Sequence, residues 1–240
     1  SWLRMAFGNA AGSPTADGNT NSTPDSRFST TAPISMTASQ IFIDNASFSG
    51  TSSVFFDYAV LQNLGVTTMN SGHNRIGFRS ADTGSVTLTF ANLLNPNPGT
   101  TLELHVDSLI GAALGTGAKH RILNSVLELG GTVPFVGGWA YSAADFLKYV
   151  PTGSGGFGYT ELVAADNAVN TAEGTWASGQ NIFVDSANRT LTLNTTIQSL
   201  KIAGATDRTV GGAPGTTLVI ESGGIITLDD GHTISVPTLT

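Results

Sequence analysis

Short runs of alternating apolar and polar residues recur along most of this chain. "QIFID" at 40–44, "RIGF" at 75–78, "SVTLTF" at 85–90 and "TTLELHV" at 100–106 each place apolar side chains two apart. Each run is bounded by Gly, Pro, Asn or Asp, the signature of many short strands. The C-terminal quarter is the most regular. Leu191/Leu193, Leu200/Ile202, Leu218/Ile220, Ile226/Leu228 and Ile234/Val236 are apolar pairs whose two members point to one face of a strand.

Larger offsets relate these pairs to one another. Leu191 to Leu218 and Leu200 to Ile226 are each separated by about 26 residues, the length of a repeat built from three short strands. The expected fold is all-β, a right-handed parallel β-helix (β-solenoid) with loop insertions. In it Leu191 and Leu218 occupy equivalent sites on adjacent rungs, and Ile234 and Val236 lie above Thr209 and its neighbours. An alternative stays open. "IITLDDGHTISV" at 225–236 reads equally as a hairpin about an Asp-Gly turn, which leads to a β-sandwich.

Four regions follow from the pattern. Residues 1–33 form a loop-rich entry segment or linker, polar and rich in Pro from 8 onward. Residues 34–130 carry solenoid rungs, with the mixed Leu/Ala spacing of 106–129 allowing one helical turn. Residues 131–180 are an aromatic and Gly-rich insertion. Trp139, Tyr141, Phe146, Tyr149, Phe157 and Tyr159 are too dense for a solvated loop, so their rings are expected to pack back on the rungs. Residues 181–240 are regular rungs, read as continuing beyond the segment.

Composition sharpens this reading. Charged residues make up 11% of the chain, less than half the usual share of about 25%, and Thr, Ser, Asn and Gly fill the gap. Thr favours strands, while Gly and Asn favour turns. A net charge of −7 with three scattered lysines disfavours nucleic acid and anionic membrane surfaces. No apolar run reaches the roughly 20 residues of a transmembrane helix. There is no cysteine, so disulfides and thiolate metal sites are ruled out.

Candidate chemistry is sparse. "GSGGFG" at 153–158 with Glu173 downstream has the spacing of a dinucleotide fingerprint. However, Lys148 and Pro151 stand where its buried strand should be, and no repeated βαβ pattern follows. "LDDGH" at 228–232 has the paired aspartates of β-helical polygalacturonases, but lacks that family's Asn-Thr-Asp and Arg-Ile-Lys tripeptides. Asp229 and Asp230 therefore read as a turn. His73, His105, His120 and His232 have no metal-ligand spacing, and no Gly-x-Ser-x-Gly elbow is present. Sequons begin at Asn21, Asn45, Asn188 and Asn194, as expected by chance in a Thr-rich chain. No catalytic residue, cofactor or metal ligand is assigned. Trp139, Tyr141 and Tyr149 are the candidate glycan contacts.

Three stretches resemble a known family. "NRTLTLNTTIQSLKIAG" with "GTTLVIESGGIITL" is similar to the repeats of bacterial autotransporter-associated β-strand proteins, through Ser199-Leu200-Lys201-Ile202 and Ser222-Gly223-Gly224-Ile225. "GGWAYSAADFLKY" resembles the aromatic block that precedes such repeats, with Gly138, Trp139, Ala140, Asp145, Phe146 and Tyr149 at the matching positions. "LGVTTMNSGHNRIGF" resembles a rung of the same proteins. The resemblance spans roughly 50–240 and implies a non-enzymatic passenger, extracellular or on the bacterial cell surface. The expected function is a structural segment of such a protein: a stalk, adhesin or extracellular fibre subunit. Its expected partners are neighbouring repeats, further copies in a fibre, and surface glycans. The alternatives are a carbohydrate-binding module or a carbohydrate-active β-helix enzyme.

Overall fold

The structure, a computed structural model, describes residues 2–6, 29–45, 47–49, 52–54, 59–80, 85–93, 96–106, 114, 115, 117, 120–143, 145–229 and 231–240. It is all-β apart from one four-residue helix and short 3-10 turns. Within it the chain divides into two compact units. One comprises residues 1–134 and 148–161, the other 135–147 and 162–240.

The first strands are β1 (Trp2–Ala6), β2 (Ile34–Thr37), β3 (Gln40–Asn45), β4 (Ser47–Ser49), β5 (Ser52–Val54), β6 (Ala59–Ser80), β7 (Ser85–Leu93), β8 (Thr100–Val106) and β9 (His120–Asn124). β6 is the organiser. Its first half runs parallel to β7, Leu64 opposite Phe90, and its second half runs parallel to both β3 and β8, with Arg75 between Gln40 and Glu103. Gly72, between the halves, has φ +71, a conformation that costs a residue with a Cβ. The alternation read from the sequence holds here. Leu88, Phe90, Leu102, Leu104, Ile76 and Phe78 are fully buried, each worth roughly 1.5–3 kcal/mol.

After β9 come α1 (Ser125–Glu128), β10 (Ala140–Ser142), β11 (Asp145–Val150) and β12 (Gly158–Glu161). The hydrogen-bonded path β6-β7-β9-β12-β11-β10-β8 returns to β6. It is a closed seven-strand β-barrel of mixed strand orientation, with β10 and β11 antiparallel through Tyr141 and Phe146. This overturns the expected right-handed parallel β-helix. The chain reverses at Ala143 (φ 41), and the first half of the long β6 pairs with β7 while its second half pairs with β8, so the path closes on itself.

The remaining strands are β13 (Ala168–Val169), β14 (Asn181–Val184), β15 (Arg189–Leu191), β16 (Thr195–Ile202), β17 (Thr209–Gly212), β18 (Thr217–Thr227), β19 (Thr233–Ser235) and β20 (Thr238–Leu239). They pair in parallel as β13-β14-β16-β18-β20 and β15-β17-β19. Ile182, Val184, Leu191, Ile197, Leu200, Ile202, Val210 and Leu218 form their shared core with Trp176. The Asn residues of two sequons have backbone partners here. Asn188 and Asn194 accept hydrogen bonds from the N–H groups of Thr209 and Thr217, each the first residue of a strand.

The register corrects the spacing argument. Leu191 lies opposite Gly212, and Leu218 opposite Thr195, so the two leucines are not equivalent. Leu200 lies opposite Ile225, not Ile226. Nor is the offset constant along the pair: Thr195 meets Leu218, 23 residues on, but a bulge in which Glu221, Ser222 and Gly223 of β18 face Gln198 alone raises the offset to 25 from Ser199 onward. Ile234 does lie opposite Val210. The β-sandwich alternative is not formed either, since Thr233–Ser235 runs parallel to 209–211 rather than back along 225–227.

Candidate functional site

Of the three stretches that carry the sequence resemblance, the structure joins two. In β16 the side chains alternate. Leu200 and Ile202 belong to the apolar core, while Ser199 and Lys201 lie on the opposite side of the strand yet are also buried. What covers them includes the stretch 135–147. Asp145, at the start of β11, makes a direct ion pair with Lys201 through Oδ2 and Nζ. Its other oxygen, Oδ1, accepts the backbone N–H of Phe146 at 3.0 Å. Lys201 Nζ also stands 4.7 Å from the centroid of the Phe183 ring on β14, a cation–π contact. Next along β16, Ser199 Oγ donates to Asn181 Oδ1 at 2.8 Å.

The bulge in β18 completes the arrangement. Gly223 takes φ +68 there, and Ser222 Oγ donates to the Gln198 carbonyl at 2.6 Å. Gly224 then meets Gly138 backbone to backbone: a Cβ on Gly224 would lie 2.5 Å from Gly138 Cα and 2.8 Å from the Phe146 ring. Only glycine fits either position. The recognised "SGGI" and "GGWA…DF" strings are thus the two halves of one interlock.

Burial dominates the electrostatics. Asp145 and Lys201 are 9% and 8% exposed. Desolvation pushes the Asp145 carboxyl above its ordinary range, against the pull of Lys201 and the Phe146 N–H. The charge of Asp166 adds to the upward push.

A second charged group lies in the other unit, on the face shared by β3, β6 and β8. Three basic side chains surround Glu103, and His105 donates a hydrogen bond to it. His105 Nδ1 lies at 3.2 Å, an Arg75 terminal nitrogen at 3.4 Å, and His73 Nε2 at 3.5 Å. The hydrogen bond from His105 and the charges around it hold the Glu103 carboxyl below its ordinary range. Beside it Gly77 lies between Phe42 and His105 in register and is buried, with the Phe42 ring and the His105 backbone and Cβ close over it. His73 and His105 looked scattered because β6 and β8 are distant in sequence. The readable signal was the matching alternation of "HNRIGF" and "TLELHV", which aligns His73 with Thr101 and Arg75 with Glu103. Among the described residues no group of three or more His, Cys, Asp or Glu is arranged to hold a metal ion.

The residues singled out from sequence fall as follows. Tyr149 is fully buried. Its hydroxyl donates to Glu128 Oε1 at 2.6 Å and its ring meets Tyr159 edge-on, so it presents no face to a glycan. Tyr159 is likewise buried, and its hydroxyl is pushed up to about 12 by desolvation. Trp139 and Tyr141 are half-buried. The indole of Trp139 lies against Gly137. Residues 153–158 make a 3-10 turn with Gly155 left-handed, then enter β12, so the helix N-terminus that a pyrophosphate needs does not follow. Asp229 is exposed at φ 71, and Asp230 lies outside the described residues. His232 accepts the Arg208 N–H at 3.0 Å through Nδ1. Among the described residues no helix is long and apolar enough to cross a membrane.

Comparison with known proteins returned no match among family models, curated proteins or solved structures.

Proposed function

We propose that this chain is a structural segment of a large exported bacterial surface protein: a stalk, adhesin or extracellular fibre subunit, without catalysis of its own. One observation carries the reading. The residues that bear the sequence resemblance, Gly138, Asp145, Phe146, Ser199, Lys201, Ser222 and Gly224, contact one another, backbone or, for Ser199, the Asn181 side chain. Motifs used in this way serve a fold that must hold its shape. The exported, cell-surface location rests on the resemblance alone. The test is to raise antibodies against the chain and treat intact producing cells with protease. Surface exposure and protease loss support the reading; a protected intracellular pool contradicts it. Depolymerisation of pectin-like and other acidic glycans by the purified chain would contradict the non-catalytic part.

A glycan-binding module is the second reading, and the face around Glu103 favours it. Phe42 and His105 lie on one sheet face with hydrogen-bonding groups from Arg75, Gln40 and Thr101, an aromatic ring beside polar donors. Its test is binding to a glycan array by wild type and by Phe42→Ala. Specific binding lost in that variant supports it.

A further inference from the structure

Asp145 and Lys201 are unusual for an ion pair. Lys is among the residues least often fully buried, and a buried pair must overcome a large desolvation cost. Here the ammonium and the carboxylate touch directly, shielded from water, with the Phe183 ring at 4.7 Å. The carboxyl is also polarised. Oδ1 is held by the Phe146 N–H at 3.0 Å while Oδ2 faces the amine. Asp166 is the further carboxylate whose charge reaches Asp145. An amine and a carboxyl held in contact in a dry site have a high effective concentration. Burial also favours the neutral acid form of Asp145, the form of a carboxyl that condenses with an amine.

We infer that Lys201 and Asp145 are joined by an intramolecular amide bond, formed after folding without an enzyme or cofactor. In the reaction the ammonium passes one proton to Oδ2, giving a neutral amine and a neutral acid. Nζ attacks Cγ, and the negative charge that develops on Oδ1 falls on the Phe146 N–H, as in an oxyanion hole. The second amine proton goes to Oδ2, the Cγ–Oδ2 bond breaks, and one water leaves. Two charges disappear from the interior, so the desolvation that burdens the pair becomes a driving force for the bond. The link would tie residues 145 and 201 covalently where Gly138 and Phe146 already meet Gly224. The inference rests on the chemistry of this pair and stands whether or not the chain is exported.

The experiment is mass spectrometry of the purified wild-type chain under denaturing conditions. The intact mass should be lower by one water than the sequence requires. Trypsin should then release residues 122–148 joined to 190–208, uncut at Lys201. Lys201→Arg, whose guanidinium does not condense with a carboxyl, should restore the full mass and release 122–148, 190–201 and 202–208 as three separate peptides. The full mass in wild type, with Lys201 free to react with an amine-acetylating reagent in denaturant, would overturn the inference. So would a one-water deficit that maps to a succinimide at Asp17-Gly18 or Asp230-Gly231 with no branched peptide.

Discussion

Two carboxylates in this molecule have basic partners and opposite fates. Glu103 lies on a partly open sheet face and shares its charge among His73, Arg75 and His105, which together hold it ionised below its ordinary range. Asp145 has one basic partner, Lys201, in a place about nine-tenths buried, and desolvation raises it. The difference shows that the surroundings decide the effect. Where solvent remains, partners dominate; where it is excluded, one partner does not offset the loss of hydration.

Breaking each pair from its basic side should separate the two most widely. Lys201→Ala leaves the Asp145 carboxyl buried without its partner, and a loss of about 3–5 kcal/mol is expected in denaturant unfolding. Arg75→Ala leaves Glu103 its two histidines and some solvent, and should cost at most about 1 kcal/mol. Equal losses would erase the contrast.

The glycines beside the two sites extend the comparison to packing. Gly224→Ala forces a methyl into the Gly138 backbone and the Phe146 ring, and should cost about 1–3 kcal/mol or more. At Gly77 a Cβ would lie 2.9 Å from the His105 carbonyl oxygen and 3.3 Å from the Phe42 ring. These approaches are looser than the 2.5 Å at Gly224, although the nearest is backbone, so Gly77→Ala should be the milder change. Thermal unfolding of the two variants measures the order.

The smallest effect is the most diagnostic, because its sign differs between the sites. Glu103 is depressed, so its stabilisation is present above the ordinary glutamate value of 4.5 and is lost as pH falls through its lower folded value. Glu103→Gln should remove that acid-side loss, worth under about 1 kcal/mol on this partly open face. Asp145 is raised, so as an ion pair it makes stability fall as pH climbs from 3.8 through its folded value. If the amide has formed, Asp145 does not titrate and this slope is absent. Stability curves against pH for wild type and Glu103→Gln distinguish these outcomes.

Much of the strand pattern was legible in the sequence. "SVTLTF" and "TTLELHV" became β7 and β8, because strict alternation leaves one face to bury whatever the neighbouring strand is. Register was not legible. Ser222 and Gly223 form a bulge that changes the pairing offset from 23 to 25 residues partway along β18, so no single repeat length describes both ends of the strand. Nor was closure: the turn at Ala143 reverses the chain without Gly or Pro to announce it. The interlock was half visible, since the motifs around Asp145 and Lys201 could be recognised separately, but their meeting depends on contacts 56 residues apart. Tyr149 was misjudged because an aromatic in a Gly-rich stretch looks available, while its partners Glu128 and Asn124 lie in another segment.

The central claim is that the 135–147 stretch is fastened to β16 through Asp145 and Lys201. A double-mutant cycle on stability tests it most directly, using Asp145→Ala, Lys201→Ala and the double variant. The account predicts strong coupling: the double variant should be little worse than Lys201→Ala alone, with an interaction energy above about 1 kcal/mol. Simple additivity of the two single losses would contradict it.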